Sequence, residues 1–212
     1  MKEYIKEFLK TLNIEELRPA QKKAIDAGLL EGKNILVCTP TASGKTLVAQ
    51  MAALESIESR RGRAVYIVPL KALATEKYKQ FKKDFGDKYK ISLSIGDLDS
   101  NDGYLAHSDI IICTAEKLDS LTRHHAPWLN TIGCIIVDEI HLLNDPSRGP
   151  TLEVLLIMLK QIVPHAQVIG LSATVGNEQA LAQWLEATLV QDTWRPVELK
   201  KGIYRDGEVT FY

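Results

Sequence analysis

The 212 residues are 45% hydrophobic and 25% charged, with a formal net charge of -1, which is enough chain to bury one core or at most two. No apolar run approaches the roughly 20 residues needed to cross a bilayer, and Met1 to Phe8 mix charged and apolar residues at helical spacing instead of forming a signal sequence's apolar stretch. A soluble cytoplasmic protein is expected, and its near-neutral charge confines any nucleic-acid contact to a local patch.

In chain order, helical spacing of apolar residues predicts helices over 2–12 and 19–30, the second stopping at Gly32. A β-branched run at 34–38 then leads into a helix over 45–58. The alternation continues with strand 64–68, helix 72–85, strands 91–95 and 109–113, helix 116–124, strand 134–137, helix 150–162, strand 167–171 and helix 178–186. Several of these strands are apolar throughout, as strands covered on both faces are. The prediction is an α/β domain with a mostly parallel sheet, helices on both faces and right-handed crossovers. Residues 1–198 are assigned to this domain and 199–212 to an exit strand or linker.

Cys38, Cys113 and Cys134 each fall inside a strand-like run and in no Cys/His cluster, so buried reduced thiols are expected rather than disulfides or zinc. The basic run at 77–83 fits the solvated face of an amphipathic helix, and Arg60-Arg61-Gly62-Arg63 fits a solvated loop. Trp128, Trp184 and Trp194 are expected to pack rather than to stack on bases.

Chemistry concentrates at two strand ends. The first strand runs into Thr39-Pro40-Thr41-Ala42-Ser43-Gly44-Lys45-Thr46 and then a helix. Such a small-residue loop points backbone N–H groups at phosphate oxygens, and the helix that follows adds its positive end. Lys45 would reach the β- and γ-phosphates, and the Thr46 hydroxyl would ligate Mg2+. Thr39 stands where the general pattern has glycine, so an ordinary strand-to-helix turn stays open as an alternative. Asp138-Glu139-Ile140-His141 follow another apolar strand. In a parallel sheet they open on the same edge as the phosphate loop. Asp138 is assigned to Mg2+, because a hard cation on the phosphates needs an acidic oxygen. Glu139 is the candidate for orienting and polarising the attacking water.

Together Thr41-Ala42-Ser43-Gly44-Lys45-Thr46, Asp138-Glu139-Ile140-His141 and Ser172-Ala173-Thr174 resemble motifs I, II and III of superfamily 2 helicases. The resemblance covers essentially the whole chain and implies the RecA-like version of the predicted fold. Leu17-Arg18-Pro19-Ala20-Gln21 resembles the segment in which a glutamine, here Gln21, recognises adenine. Pro69-Leu70-Lys71-Ala72-Leu73 and Thr114-Ala115-Glu116-Lys117 resemble motifs Ia and Ib, which touch the nucleic-acid backbone, and Gly96-Asp97 fits a further family element. The resemblance thus implies nucleic-acid contacts at Lys71, Thr114 and Lys117, more weakly at Arg123, although a surface cation or a plain helix cap also fits each. It also implies that His141, Ser172 and Thr174 couple the nucleotide state to domain movement.

Pro40-Thr41-Ala42-Ser43, the DEIH form of motif II, Arg148-Gly149-Pro150-Thr151-Leu152-Glu153 and Trp194-Arg195-Pro196-Val197-Glu198-Leu199 are similar to the Ski-like branch. Within that branch they resemble archaeal DNA helicases that process stalled forks, relatives of the helicase region of DNA polymerase theta. That likeness implies ATP and Mg2+ as cofactors, single-stranded or forked DNA as partner and 3′-to-5′ movement, with RNA left open. In this class an arginine finger from a second RecA-like domain contributes about 10³–10⁵ in rate, and these residues hold no counterpart of the motifs that carry it. The expectation is a domain that binds nucleotide, hydrolyses it poorly and does not unwind. A nucleotide-binding regulatory module remains an alternative. A small-molecule kinase would leave DEIH, Ser-Ala-Thr and Gln21 without roles.

Overall fold

The computed structural model describes residues 1–96, 103–174, 176–197, 200, 202–205 and 207–211. Two helices come first, α1 (Glu3–Thr11) and α2 (Pro19–Asp26). Strand and helix then alternate through β1 (Ile35–Cys38), α3 (Lys45–Glu58), β2 (Arg63–Val68), α4 (Lys71–Phe85), β3 (Ile91–Ser94), β4 (Ile110–Thr114), α5 (Ala115–Arg123), β5 (Ile132–Val137), α6 (Gly149–Ile162), β6 (Gln167–Ser172), α7 (Glu178–Leu185) and β7 (Thr188–Gln191).

The seven strands form one sheet in the order β3-β4-β2-β5-β6-β1-β7, with every neighbouring pair parallel. Side chains alternate along each strand, so each strand feeds two cores. Ile35, Val37, Ala64, Tyr66, Ile110, Ile112, Cys134 and Ile136 pack on one face with α1 to α4. Leu36, Cys38, Val65, Ile67, Ile111, Cys113, Ile135 and Val137 pack on the other with α5 to α7. The uniformly apolar strands are therefore covered on both sides. Helix α3 is buried at every position from Leu47 to Ser56, because α1 and α2 lie outside it. Its Glu55 is only 2% exposed and is matched by Lys2, just before α1, and by Tyr4 within it.

The expected elements are present, with local corrections. The predicted helix over 19–30 stops at Asp26, and Leu29–Glu31 form a separate 3-10 turn. Strand β7, which the sequence did not predict, adds an edge to the sheet by pairing with β1. Within the segment read as an exit strand, β8 (Gly202–Arg205) and β9 (Glu208–Phe211) pair as an antiparallel ribbon exposed on both faces. The Arg60–Arg63 cluster is only partly a solvated loop. Arg61 reaches Gln167, and Arg63 donates to Thr131 Oγ1 and to the carbonyls of Leu105 and Ala106, tying the loop to its neighbours. All three cysteines are free and buried. Burial pushes the Cys38 thiol up to about 11 and those of Cys113 and Cys134 up to about 12. Among the described residues no helix is long and apolar enough to cross a membrane.

Candidate nucleotide site

Since all seven strands are parallel, Cys38, Val68, Thr114, Val137 and Ser172 end on one edge. A cleft of about 690 Å³ opens there, lined among others by Gln21, Gly44, Lys45, Thr46, Asp138 and Glu139. Segments more than ninety residues apart in sequence thus meet at one surface.

The loop between β1 and α3 is shaped by two left-handed residues, Ala42 at φ 64° and Gly44 at φ 95°. The left-handed φ favours glycine at Gly44, and a Cβ there would also stand 2.5 Å from Gln21 Nε2 and displace that amide. Gly44 caps α3 without a side chain, and although the Leu47 N–H turns back to Gly44 O at 3.2 Å, no side chain stands where an anion would meet the helix start. Donors engage the loop's carbonyls. Lys45 Nζ donates to Thr39 O at 2.8 Å and Pro40 O at 3.1 Å, Arg18 Nη1 to Ala42 O at 2.7 Å, and Gln21 Nε2 to Gly44 O at 3.0 Å. The loop therefore meets the cleft with cations and amide donors.

The departure from the glycine pattern has a local explanation. Thr39 is fully buried, and its hydroxyl pairs with Ser43 Oγ at 2.6 Å, closing the loop from beneath. Thr41, by contrast, is exposed.

Asp138 and Glu139 leave β5 beside this loop. The Asp138 N–H donates to Ile67 O at 2.9 Å, while its carboxylate accepts from Tyr66 Oη at 2.8 Å and from the Glu139 N–H at 3.1 Å. Tyr66 is fully buried. Burial and then the charges of Asp138 and Glu139 hold its phenol well above the ordinary value of 10.0, so it remains a donor. Glu139 is left-handed, at φ 52° and ψ 42°, a conformation that costs a non-glycine residue about 1–2 kcal/mol. The 3-10 turn Ile140–Asn144 follows it. Gly149 lets α6 close against that turn, since a Cβ would stand 2.2 Å from Leu143 O. His141 Nδ1 lies 3.4 Å from Glu139 Oε2 and 3.4 Å from Ser172 Oγ, so it links the second motif to the third. Thr174 is exposed beyond β6.

Two sequence expectations need revision. Lys77 belongs to the run read as a solvated face, yet its side chain is 15% exposed and its Nζ donates to Thr46 Oγ1 at 2.9 Å. Trp194 packs at the surface and not in the core: it is 37% exposed, with the Arg18 guanidinium 5.2 Å from its ring centroid. Burial lowers the Lys45 ammonium below its ordinary value, against the raising pull of Glu139 and Asp138.

The residues expected to meet nucleic acid do not all reach the surface. Lys71 is exposed at the start of α4. Thr114 is 4% exposed and caps α5, accepting from the Lys117 N–H, and Lys117 is 1% exposed. Both therefore lie buried at the helix start, where Thr114 serves as the cap of α5. Arg123 is exposed and ion-paired with Asp119 at 2.8 Å. Of the Gly96-Asp97 element, Asp97 lies outside the described residues, as do Glu198 and Leu199 of the closing segment.

The arrangement of loop, paired acids and serine strand coincides with a match to known proteins. The DEAD/DEAH box helicase family matches residues 18–182. This chain belongs to the DEAD/DEAH box helicase family. It is 50% identical, over 98% of its length, to the "ATP-dependent DNA helicase Hel308" of Methanocella arvoryzae and spans 28% of that relative. It is 51% identical, again over 98% of its length, to the protein of the same name from Methanocaldococcus jannaschii and spans 18% of it. Among solved structures, the DUF1998 helicase MrfA bound to DNA superposes with a TM-score of 0.74 at 27% identity, covering 91% of this chain and 30% of that one. The RecA-like α/β fold expected for a helicase motor domain is therefore present, and so is the likeness to archaeal DNA helicases.

Proposed function

We propose that this chain is the ATP-binding motor domain of an ATP-dependent 3′-to-5′ DNA helicase acting in DNA repair or replication-fork restart. The convergence of Lys45, Thr46, Asp138 and Glu139 on one cleft carries the reading. The family match and the Hel308 relatives support it.

The donor set suits the cofactors. Among the described residues no cluster of three or more His, Cys, Asp or Glu could hold a metal alone. One carboxylate plus a hydroxyl, completed by phosphate and water, is how Mg2+ is commonly held. That an ammonium already sits on Thr46 Oγ1 and 3.8 Å from Asp138 Oδ2 indicates that this pocket accepts a cation. Thr46 and Asp138 would hold the metal, which when bound neutralises charge on the β- and γ-phosphate oxygens.

Lys45 would exchange the carbonyls of Thr39 and Pro40 for phosphate oxygens, beside the first-turn N–H groups of α3 and the backbone of Thr41, Ala42, Ser43 and Gly44. Gln21 keeps one amide hydrogen and acceptor capacity for adenine, since only one bond at each end is engaged by the loop and Arg18. Glu139 would orient the attacking water. His141 would transmit its position to Ser172 and Thr174, and from them to a second RecA-like domain. Lys71 is the remaining candidate for the DNA backbone. Residues 1–198 act as one domain and 199–212 lead toward the second. Without an arginine finger the 212 residues bind nucleotide, turn it over slowly and do not unwind.

Titration calorimetry with ADP and Mg2+, on the wild type and Lys45→Ala, with and without single-stranded DNA, tests this reading. Binding that needs Lys45, with very slow turnover, is expected. Brisk DNA-stimulated ATPase activity or unwinding by these residues would overturn the half-motor part, and binding indifferent to Lys45 would overturn the site.

A further inference from the structure

Helix α4 buries Ala74, Phe81 and Phe85, and Lys77 falls on the same face, three residues after the first and four before the second. Its neighbours in the basic run, Lys79 and Lys83, are exposed. Lys77 instead turns inward, its ammonium 2.9 Å from Thr46 Oγ1 and 3.8 Å from Asp138 Oδ2. Those oxygens belong to the two residues assigned to Mg2+. From this geometry we infer that Lys77 is a tethered cation standing where Thr46 and Asp138 would hold Mg2+, and that it sets how strongly nucleotide binding depends on the metal; the inference rests on the nucleotide-site reading above.

With its ammonium 2.9 Å from Thr46 Oγ1 and 3.8 Å from Asp138 Oδ2, Lys77 fills the gap between the two oxygens, and a second cation entering that gap would meet it at close range and be repelled. Mg2+ must therefore displace Lys77, whose flexible four-carbon stem lets a compact point charge move aside. In the absence of metal, Lys77 stays and offsets the Asp138 charge against incoming phosphate. The same side chain thus supports metal-free binding and opposes metal entry. A residue that merely braces α4 would do neither selectively.

The test is ADP affinity by titration calorimetry, in Mg2+ and in EDTA, for the wild type, Lys77→Met and Lys45→Ala. The quantity read is the ratio of the Kd in EDTA to the Kd in Mg2+. In Lys77→Met this ratio should rise about tenfold, the scale of one charge-assisted hydrogen bond at a partly buried site. Equal shifts in both conditions, leaving the ratio at the wild-type value, would overturn the inference while Lys45-dependent binding persists. Loss of the Lys45 dependence would overturn the nucleotide-site reading and the inference with it. Circular dichroism confirms folding, and Lys77→Gln, with the same expected ratio, replaces Lys77→Met if that variant does not fold.

Discussion

Tyr66→Phe removes a single oxygen, and the structure sets the size of the effect. The Tyr66 hydroxyl is fully buried and donates to Asp138 Oδ2 at 2.8 Å, while the Asp138 side chain is itself only 12% exposed. A hydrogen bond to a charged group contributes about 1.5–3 kcal/mol. Lys77 at 3.8 Å and the Glu139 N–H at 3.1 Å remain to support the carboxylate, which favours the lower end of that range. A loss of about 1.5–2 kcal/mol corresponds to a fall in Tm of about 3–8 °C for a domain of this size. Urea and thermal melts followed by circular dichroism would measure it, and calorimetry should show weaker Mg2+–ADP binding as Asp138 loses its anchor. A change below about 0.5 kcal/mol, the scale of an ordinary surface substitution, would refute the idea that Tyr66 holds Asp138.

Three further outcomes are expected. Gly149→Ala should destabilise the domain by about 1–3 kcal/mol, because the new Cβ would meet the Leu143 carbonyl at 2.2 Å and push away the turn that carries His141; a neutral urea melt would contradict it. The buried thiols should resist a thiol reagent at pH 8 until the protein unfolds. Each holds its proton when folded beyond the ordinary 9.0, so their contribution is intact below about pH 9 and is lost as pH rises toward 12, at up to about 1.4 kcal/mol per thiol per pH unit. A pH series of urea melts that is flat from 8 to 11 would count against this. Lys71→Ala should weaken single-stranded DNA binding and lower the salt slope by about one contact in fluorescence anisotropy, whereas an unchanged slope would remove Lys71 from the interface.

The fold was legible because short, uniformly apolar β-branched runs alternate with helical spacing along most of this chain. Apolar strands such as β2 and β5, buried at nearly every position, announce a two-sided parallel sheet. The loop around Lys45 and the pair Asp138–Glu139 stand out as candidates because each signal is local, to the six residues 41–46 and the four residues 138–141. What escaped depends on partners distant in sequence. Lys77 reads as one of several solvated lysines until Thr46 and Asp138 arrive from other segments, although its spacing from Ala74, Phe81 and Phe85 marked the inward face. Tyr66 reads as core filling, and its role comes from an acid seventy-two residues away. Thr114 and Lys117 matched a motif whose letters do not tell capping or burial from exposure. Strand β7 is half-exposed and short, so its pattern is too weak to stand out.

The most direct test of the nucleotide site is a crystal structure of the chain with ADP and Mg2+. The expected structure has the β-phosphate against the first turn of α3, Lys45 Nζ released from Thr39 O and Pro40 O onto phosphate oxygens, and the metal between Thr46 and Asp138 with Lys77 displaced. A nucleotide bound elsewhere, or bound here with Lys45 still on its own loop, would contradict it.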